Sequence, residues 1–211
     1  MKKLVWLELD AMAAFMDFAV GSLIAVLVDW ALHVGIPPWY LPIGGVLAFL
    51  PDFDIIWPIL RKFLTDRKIV GNHHETLMHR PLLVIPIATT IAYLIGGWYW
   101  AVTTFVCVLW HYVHDTQGFG GGGLTWGWPL SEKYWSLTGP HEPAMMDHDE
   151  WIRKFWMQLT PFSTRELLIG SVALGIAVGV QSHSPLAPLL LLFVIWSGFA
   201  TVWKSAQSLA L

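Results

Sequence analysis

Histidine and aspartate recur in this chain at spacings that suit metal ligation. The stretch His111-Tyr112-Val113-His114-Asp115 puts two imidazoles and a carboxylate at the end of an apolar run, residues 98–110. Such groups are costly to bury without partners. On a helix His111 and Asp115 are four residues apart and His111 and His114 three, so all three can share one face. A polar helix end, where the run meets water, accounts for the same residues equally well. Two more clusters lie upstream: Asp52 and Asp54 in Pro51-Asp52-Phe53-Asp54, and His73, His74 and His79. His74 and His79 stand about 140° apart on a helix, so a turn must separate them if both bind one ion. Mixed carboxylate and imidazole donors suit zinc, manganese or iron. Such an ion would bring the pKa of a bound water to about 7 and polarise a phosphoryl or carbonyl oxygen, which is hydrolytic chemistry. Each cluster also has a plain reading: Pro-Asp-x-Asp is a common turn or helix start, and His73-His74 suits a solvated loop.

The elements that must carry these residues are apolar. The chain has 211 residues, 55% hydrophobic and 13% charged, with 14 Trp and a mean hydropathy of +0.56. Soluble domains are about 25% charged, so the balance points to a polytopic, all-α membrane protein. A net charge of −3 leaves no basic footprint for nucleic acid. Cys107 is the sole cysteine, which rules out an intrachain disulfide and a thiolate-only zinc module. Glu8, Asp10 and Asp17 interrupt what would be the core of a signal peptide, so the N-terminus reads as an uncleaved lead-in to a first span.

About six apolar segments follow, near residues 12–35, 39–50, 81–95, 98–110, 167–180 and 185–202. Residues 55–80 between the second and third read as a polar stretch, and residues 151–156 as an amphipathic segment on the membrane surface. Turns near residues 36, 97 and 183 pair the segments into three hairpins. In that arrangement all twelve Lys and Arg fall on one side and the three turns on the other carry none. The positive-inside rule then makes both termini cytoplasmic, in the cell or inner membrane. The three His/Asp clusters gather at that face, whereas His33 and His183 lie opposite and are not ligand candidates. Three regions result: a membrane-embedded core over residues 1–130, an interfacial segment over 131–165 and a C-terminal hairpin over 166–211.

The remaining polar features weigh less. Asp17, inside the first span, is a functional candidate because a charge at mid-helix costs about 2.5–3.5 kcal/mol on insertion scales; placed high enough, it would instead reach headgroup water. The run Gly118 to Gly123 lacks the Lys-Ser/Thr ending of a phosphate loop and suits close passage of the backbone past the site or a headgroup. Trp126, Trp128 and Pro129 fit an interfacial aromatic anchor. His141 and Asp147-His148-Asp149 read first as a solvated acidic loop and second as extra ligands.

Taken in order, Leu50-Pro51-Asp52-Phe53-Asp54, His74-x4-His79, His111-x3-Asp115 and the Gly-rich turn ending Trp128-Pro129 resemble the YdjM-like membrane-bound metal-dependent hydrolases over residues 12–130. The resemblance implies a divalent metal held by Asp52, Asp54, His74, His79, His111 and Asp115. Asp17 would stand in for an N-terminal histidine of that family which is missing here. Ile55 replaces the histidine that usually follows the aspartate motif, and only the outer histidines of the second motif remain. His114 matches nothing in the pattern and reads as a supporting group or general base, with Asp54 as the other candidate base. The expected function is a metal-dependent hydrolase at the cytoplasmic face, acting on a phosphoester of a lipid or lipid-linked molecule. The alternatives are a cation or proton transporter and a non-catalytic membrane scaffold with a structural ion.

Overall fold

A computed structural model describes residues 2–65, 73–117, 123–137 and 148–210. Among these the chain is all-helical, apart from one isolated antiparallel bridge between Leu124 and Trp135. The helices are α1 (Lys2–Ala13), α2 (Phe15–Leu32), α3 (Leu41–Ala48), α4 (Phe53–Thr65), α5 (Pro81–Asp115), α6 (His148–Phe155), α7 (Pro161–Ser182) and α8 (Leu186–Ala210). Four of them (α2, α5, α7 and α8) are long and apolar enough to cross a membrane. A fifth span is counted if α3 and α4, with their flanking turns, form one span bent by 56°.

α5 is not one rod. A straight helix of 35 residues is about 52 Å long, yet the Tyr112 hydroxyl donates to the Met78 carbonyl at 2.5 Å. Val84 and Val108 also share a buried cluster. The break is Gly97, at φ 76°, a conformation open to glycine because it has no Cβ. The chain reverses there, so residues 81–96 and 98–115 pack against each other. It reverses again after α2 and after α7, where His33 and His183 take left-handed C-cap conformations. These are the three turns expected from the sequence.

α2 is the central helix. It meets α3 at a crossing of small residues: a Cβ on Gly21 would strike the Gly44 carbonyl, and a Cβ on Gly44 the Gly21 carbonyl. Close backbone approach of this kind holds apolar helices together where lipid supplies no hydrophobic drive. α2 packs parallel to α7, with Phe15 and Met16 beside Gly170 and Ala19 beside Ala173 and Leu174. Residues 98–115 run antiparallel to α2: the Tyr99 hydroxyl donates to the Ala25 carbonyl at 3.2 Å and the Trp110 indole to Asp17 at 2.9 Å. The starts of α2, α5 and α7 and the ends of α3 and α5 therefore lie at one end of the bundle.

Two expectations change. Residues 53–65 are helical because Phe53, Ile56, Trp57, Leu60 and Leu64 recur at three- and four-residue spacing; that stripe is exposed. The α6 segment does not present its apolar side to a membrane surface. Ile152, with Trp156 just beyond the helix, is buried against Val5, Leu9 and Met12 of α1 and Leu167 of α7.

Candidate metal centre

The end of the bundle where these helices meet carries the His/Asp clusters. Asp52 closes a single 3-10 turn, Leu50–Asp52, between α3 and α4. His74 and His79 sit on two successive 3-10 turns, His73–Glu75 and Leu77–His79, which supply the turn their spacing requires. Pro81 then opens α5; its fixed φ and missing N–H suit a first helical position. His111 and Asp115 lie one turn apart at the far end of the same hairpin.

Four side-chain atoms from these three segments converge. His79 Nε2 is 3.2 Å from Asp52 Oδ1 and 3.6 Å from Asp115 Oδ2. His111 Nε2 is 3.5 Å from Asp52 Oδ1 and 3.1 Å from Asp115 Oδ2. Nitrogens and oxygens alternate around the ring they form. Donors about 2.0–2.1 Å from one tetrahedral ion lie about 3.3–3.4 Å apart, close to these contacts, and two overlapping three-donor groups could hold an ion: Asp52 with His79 and His111, and His74 with His79 and Asp115. Two of the four atoms are poorly served otherwise. His111 Nε2 and Asp115 Oδ2 are buried without a hydrogen bond of acceptable geometry, a cost that a cation between them would remove.

Each cage imidazole has a carboxylate behind it. His79 Nδ1 is 3.4 Å from Asp54 Oδ2, and His111 Nδ1 is 3.6 Å from Asp17 Oδ2. Imidazole ligands characteristically turn their second nitrogen toward such a group, which sets the tautomer and steers the free lone pair to the ion. The Thr76 hydroxyl donates to Asp54 Oδ2, so the residues between His74 and His79 also serve the site. Burial alone would lower the His79 pKa; the Asp52 and Asp54 carboxylates beside the ring outweigh it and push it up to about 9.

The remaining candidates take other places. His74 stacks on His79 with ring centroids 5.0 Å apart, its Nε2 is 3.8 Å from Asp115 Oδ2, and it completes the three-donor group with those two residues. His114 faces away: its Nδ1 is 3.2 Å from Asp17 Oδ1 and its Nε2 is 2.9 Å from Glu166 Oε2. His148 lies 3.0 Å from Asp10 and Asp149 2.6 Å from Lys62, so these residues tie α6 to α1 and α4. His141, Asp147 and Gly118 to Gly122 are outside the described residues. Trp126 and Trp128 contact the segments that carry the site. The Trp126 indole donates to Thr116 at 2.8 Å, and Trp128 lies under the Arg80 guanidinium, which donates to Thr125 and to the Glu75 carbonyl.

Sequence reasoning missed Glu166. It is 1% exposed and lies in the second turn of α7, which Thr160 caps and Pro161 opens. The available signal was a carboxylate one residue before an apolar run, the same pattern that singled out Asp17 in α2. No family model, curated protein or solved structure matches the chain.

Proposed function

We propose that this chain is a multi-pass membrane protein that holds a divalent metal, zinc by preference and manganese or iron by the same donors, at its cytoplasmic face, and that it hydrolyses a phosphoester of a lipid or lipid-linked substrate. The fold in this reading has six crossings in three hairpins, with both termini cytoplasmic. The observation that carries it is the cage of Asp52, His79, His111 and Asp115, with contacts of 3.1–3.6 Å inside an apolar bundle. An ion there supplies Lewis-acid chemistry, acidifying water and polarising a phosphoryl oxygen. Asp54 and Asp17 sit behind the two ligand imidazoles, where their charge favours the tautomer that leaves Nε2 free. Asp54 Oδ1 is buried without a hydrogen bond, and Asp54 is the carboxylate proposed as general base. The order of motifs shared with the YdjM-like hydrolases supports the same chemistry.

A transport pathway would need polar groups along the bundle. Asp29, at the far end of α2, accepts the Ile36 N–H at 2.9 Å and serves the turn. The buried carboxylate–imidazole contacts Asp52–His79, Asp115–His111, Asp17–His114 and Glu166–His114 all lie at one end. One observation favours a second reading, a structural ion: His79 and His111 are fully buried, whereas catalytic zinc keeps a position open to water or substrate.

The test is metal content after purification in detergent under metal-replete conditions. Wild type should carry about one equivalent per chain, and His111→Ala and Asp115→Ala should lose it. Metal-free wild type ends the proposal, and metal surviving both substitutions ends the ligand assignment. A lipid phosphoester in mixed micelles then separates the two readings. Metal-dependent turnover supports the hydrolase, and metal that raises Tm without turnover supports the structural ion.

A further inference from the structure

Glu166 is a carboxylate buried inside a helix long and apolar enough to span a bilayer, a placement that is expensive and commonly marks function. Its surroundings show what it holds. Glu166 Oε2 makes a 2.9 Å charge contact with His114 Nε2 that lacks hydrogen-bond geometry, and Glu166 Oε1 accepts from Arg165 Nη2 at 2.8 Å. The other nitrogen of His114 meets both oxygens of Asp17 at 3.2 Å. Asp17 also takes the Trp110 indole N–H at 2.9 Å and faces His111 Nδ1 at 3.6 Å. A chain of contacts therefore runs from α7 through His114 and Asp17 to the back of a cage imidazole.

His111 and His114 are on one helix, so neither alone can set how that helix sits against α2. Glu166 and Asp17 grip His114 from two other helices, α7 and α2. The grip fixes the rotation of residues 98–115 about their axis, and with it the aim of His111 and Asp115. At 3.6 Å the Asp17–His111 contact is longer than a hydrogen bond and acts through charge, so it depends on where Asp17 is held.

We propose that Glu166 is a positioning residue of the metal centre, acting through His114 and Asp17 on His111. The C-terminal hairpin is then part of the site rather than an appendage to residues 1–130. The inference rests on the metal-centre reading above.

The test uses the full-length protein in detergent, loaded with cobalt(II), whose visible bands report ligand geometry. Wild type, Glu166→Gln and Glu166→Asp are compared at saturating cobalt, and affinities are taken from chelator competition. Glu166→Gln keeps the shape and removes the charge. It should bind cobalt about 10- to 100-fold more weakly, with shifted visible bands even at saturation. Glu166→Asp, which keeps the charge, should lie between that variant and wild type. A purely structural role would lower thermal stability and leave the bands of the saturated protein unmoved, and that result overturns the proposal. If Glu166→Gln does not fold, Glu166→Asp decides alone: its carboxylate is drawn back by one methylene, and unchanged bands and affinity overturn the inference. Wild type that takes up no cobalt defeats the metal-centre reading itself, an outcome distinct from wild type and variants binding alike.

Discussion

His79 carries a proton that a bound ion must displace. Its pKa, pushed up to about 9 by Asp52 and Asp54, lies above the ordinary value near 6.5. In the metal-free protein this pairing adds stability that is fully present below about pH 6.5 and is lost as pH rises through about 9. Metal binding runs the other way, because the ligand must be deprotonated. Apparent zinc affinity should therefore climb by up to about tenfold per pH unit from about pH 7 to about pH 9 and then flatten. Chelator-competition titrations, corrected for the chelator's own protonation, would measure this; a flat profile excludes His79 Nε2 as a donor. The types of the ligands were legible in the sequence. Which aspartate of Asp52-Phe53-Asp54 faces the cage was not. A 3-10 turn ends at Asp52 and an α-helix begins at Phe53, and that switch sends Asp52 to His111 and Asp54 behind His79.

Among the described elements, α4 is a helix too short to span by itself whose apolar side is exposed. Phe53, Ile56, Trp57, Leu60 and Leu64 are all exposed along one stripe. Meanwhile Lys62 on the same helix pairs with Asp149, and the Phe63 carbonyl accepts from Lys3. A helix held by charges on one side and apolar on the other lies in the headgroup region of a bilayer. The fluorescence difference between wild type and Trp57→Phe should therefore be quenched by lipids brominated near the headgroup end of their acyl chains; no quenching removes α4 from the membrane. The stripe was present in the sequence but masked by Arg61 and Lys62, which made residues 55–65 read as polar. α6 shows the converse. Its amphipathic pattern was clear, but pattern alone does not say whether lipid or another helix covers the apolar side, and here α1 and α7 do.

For the whole molecule the decisive feature is polarity between its two ends. His33, Gly97 and His183 mark turns at one end; the cage, Asp17 and Glu166 occupy the other. On the topology expected from the basic-residue pattern, reporters fused at Gly97 and Ser184 should signal a non-cytoplasmic location, and one at the C-terminus a cytoplasmic one. A cytoplasmic signal at Gly97 would break the hairpin as a pair of crossings and move the metal centre off the cytoplasmic face. The hairpin itself was legible from Gly96-Gly97, because the positive φ with extended ψ at Gly97 is a backbone conformation open essentially to glycine alone.

The sequence by itself determined that this is an all-helical protein with membrane-length apolar segments, and set its pool of candidate ligands. Hydrophobic run length, turn residues and basic-residue bias are local properties, and residue type decides which donors exist. Tertiary structure alone decided how they combine. Asp17 and His111, His79 and Asp52, and His114 and Glu166 come from segments far apart in the chain, and only helix packing sets which oxygen meets which nitrogen. Glu166 shows this most clearly: in sequence it is a carboxylate at the edge of an apolar run, and it gains a role only because α7 packs parallel to α2 and meets α5 at the same end of the bundle.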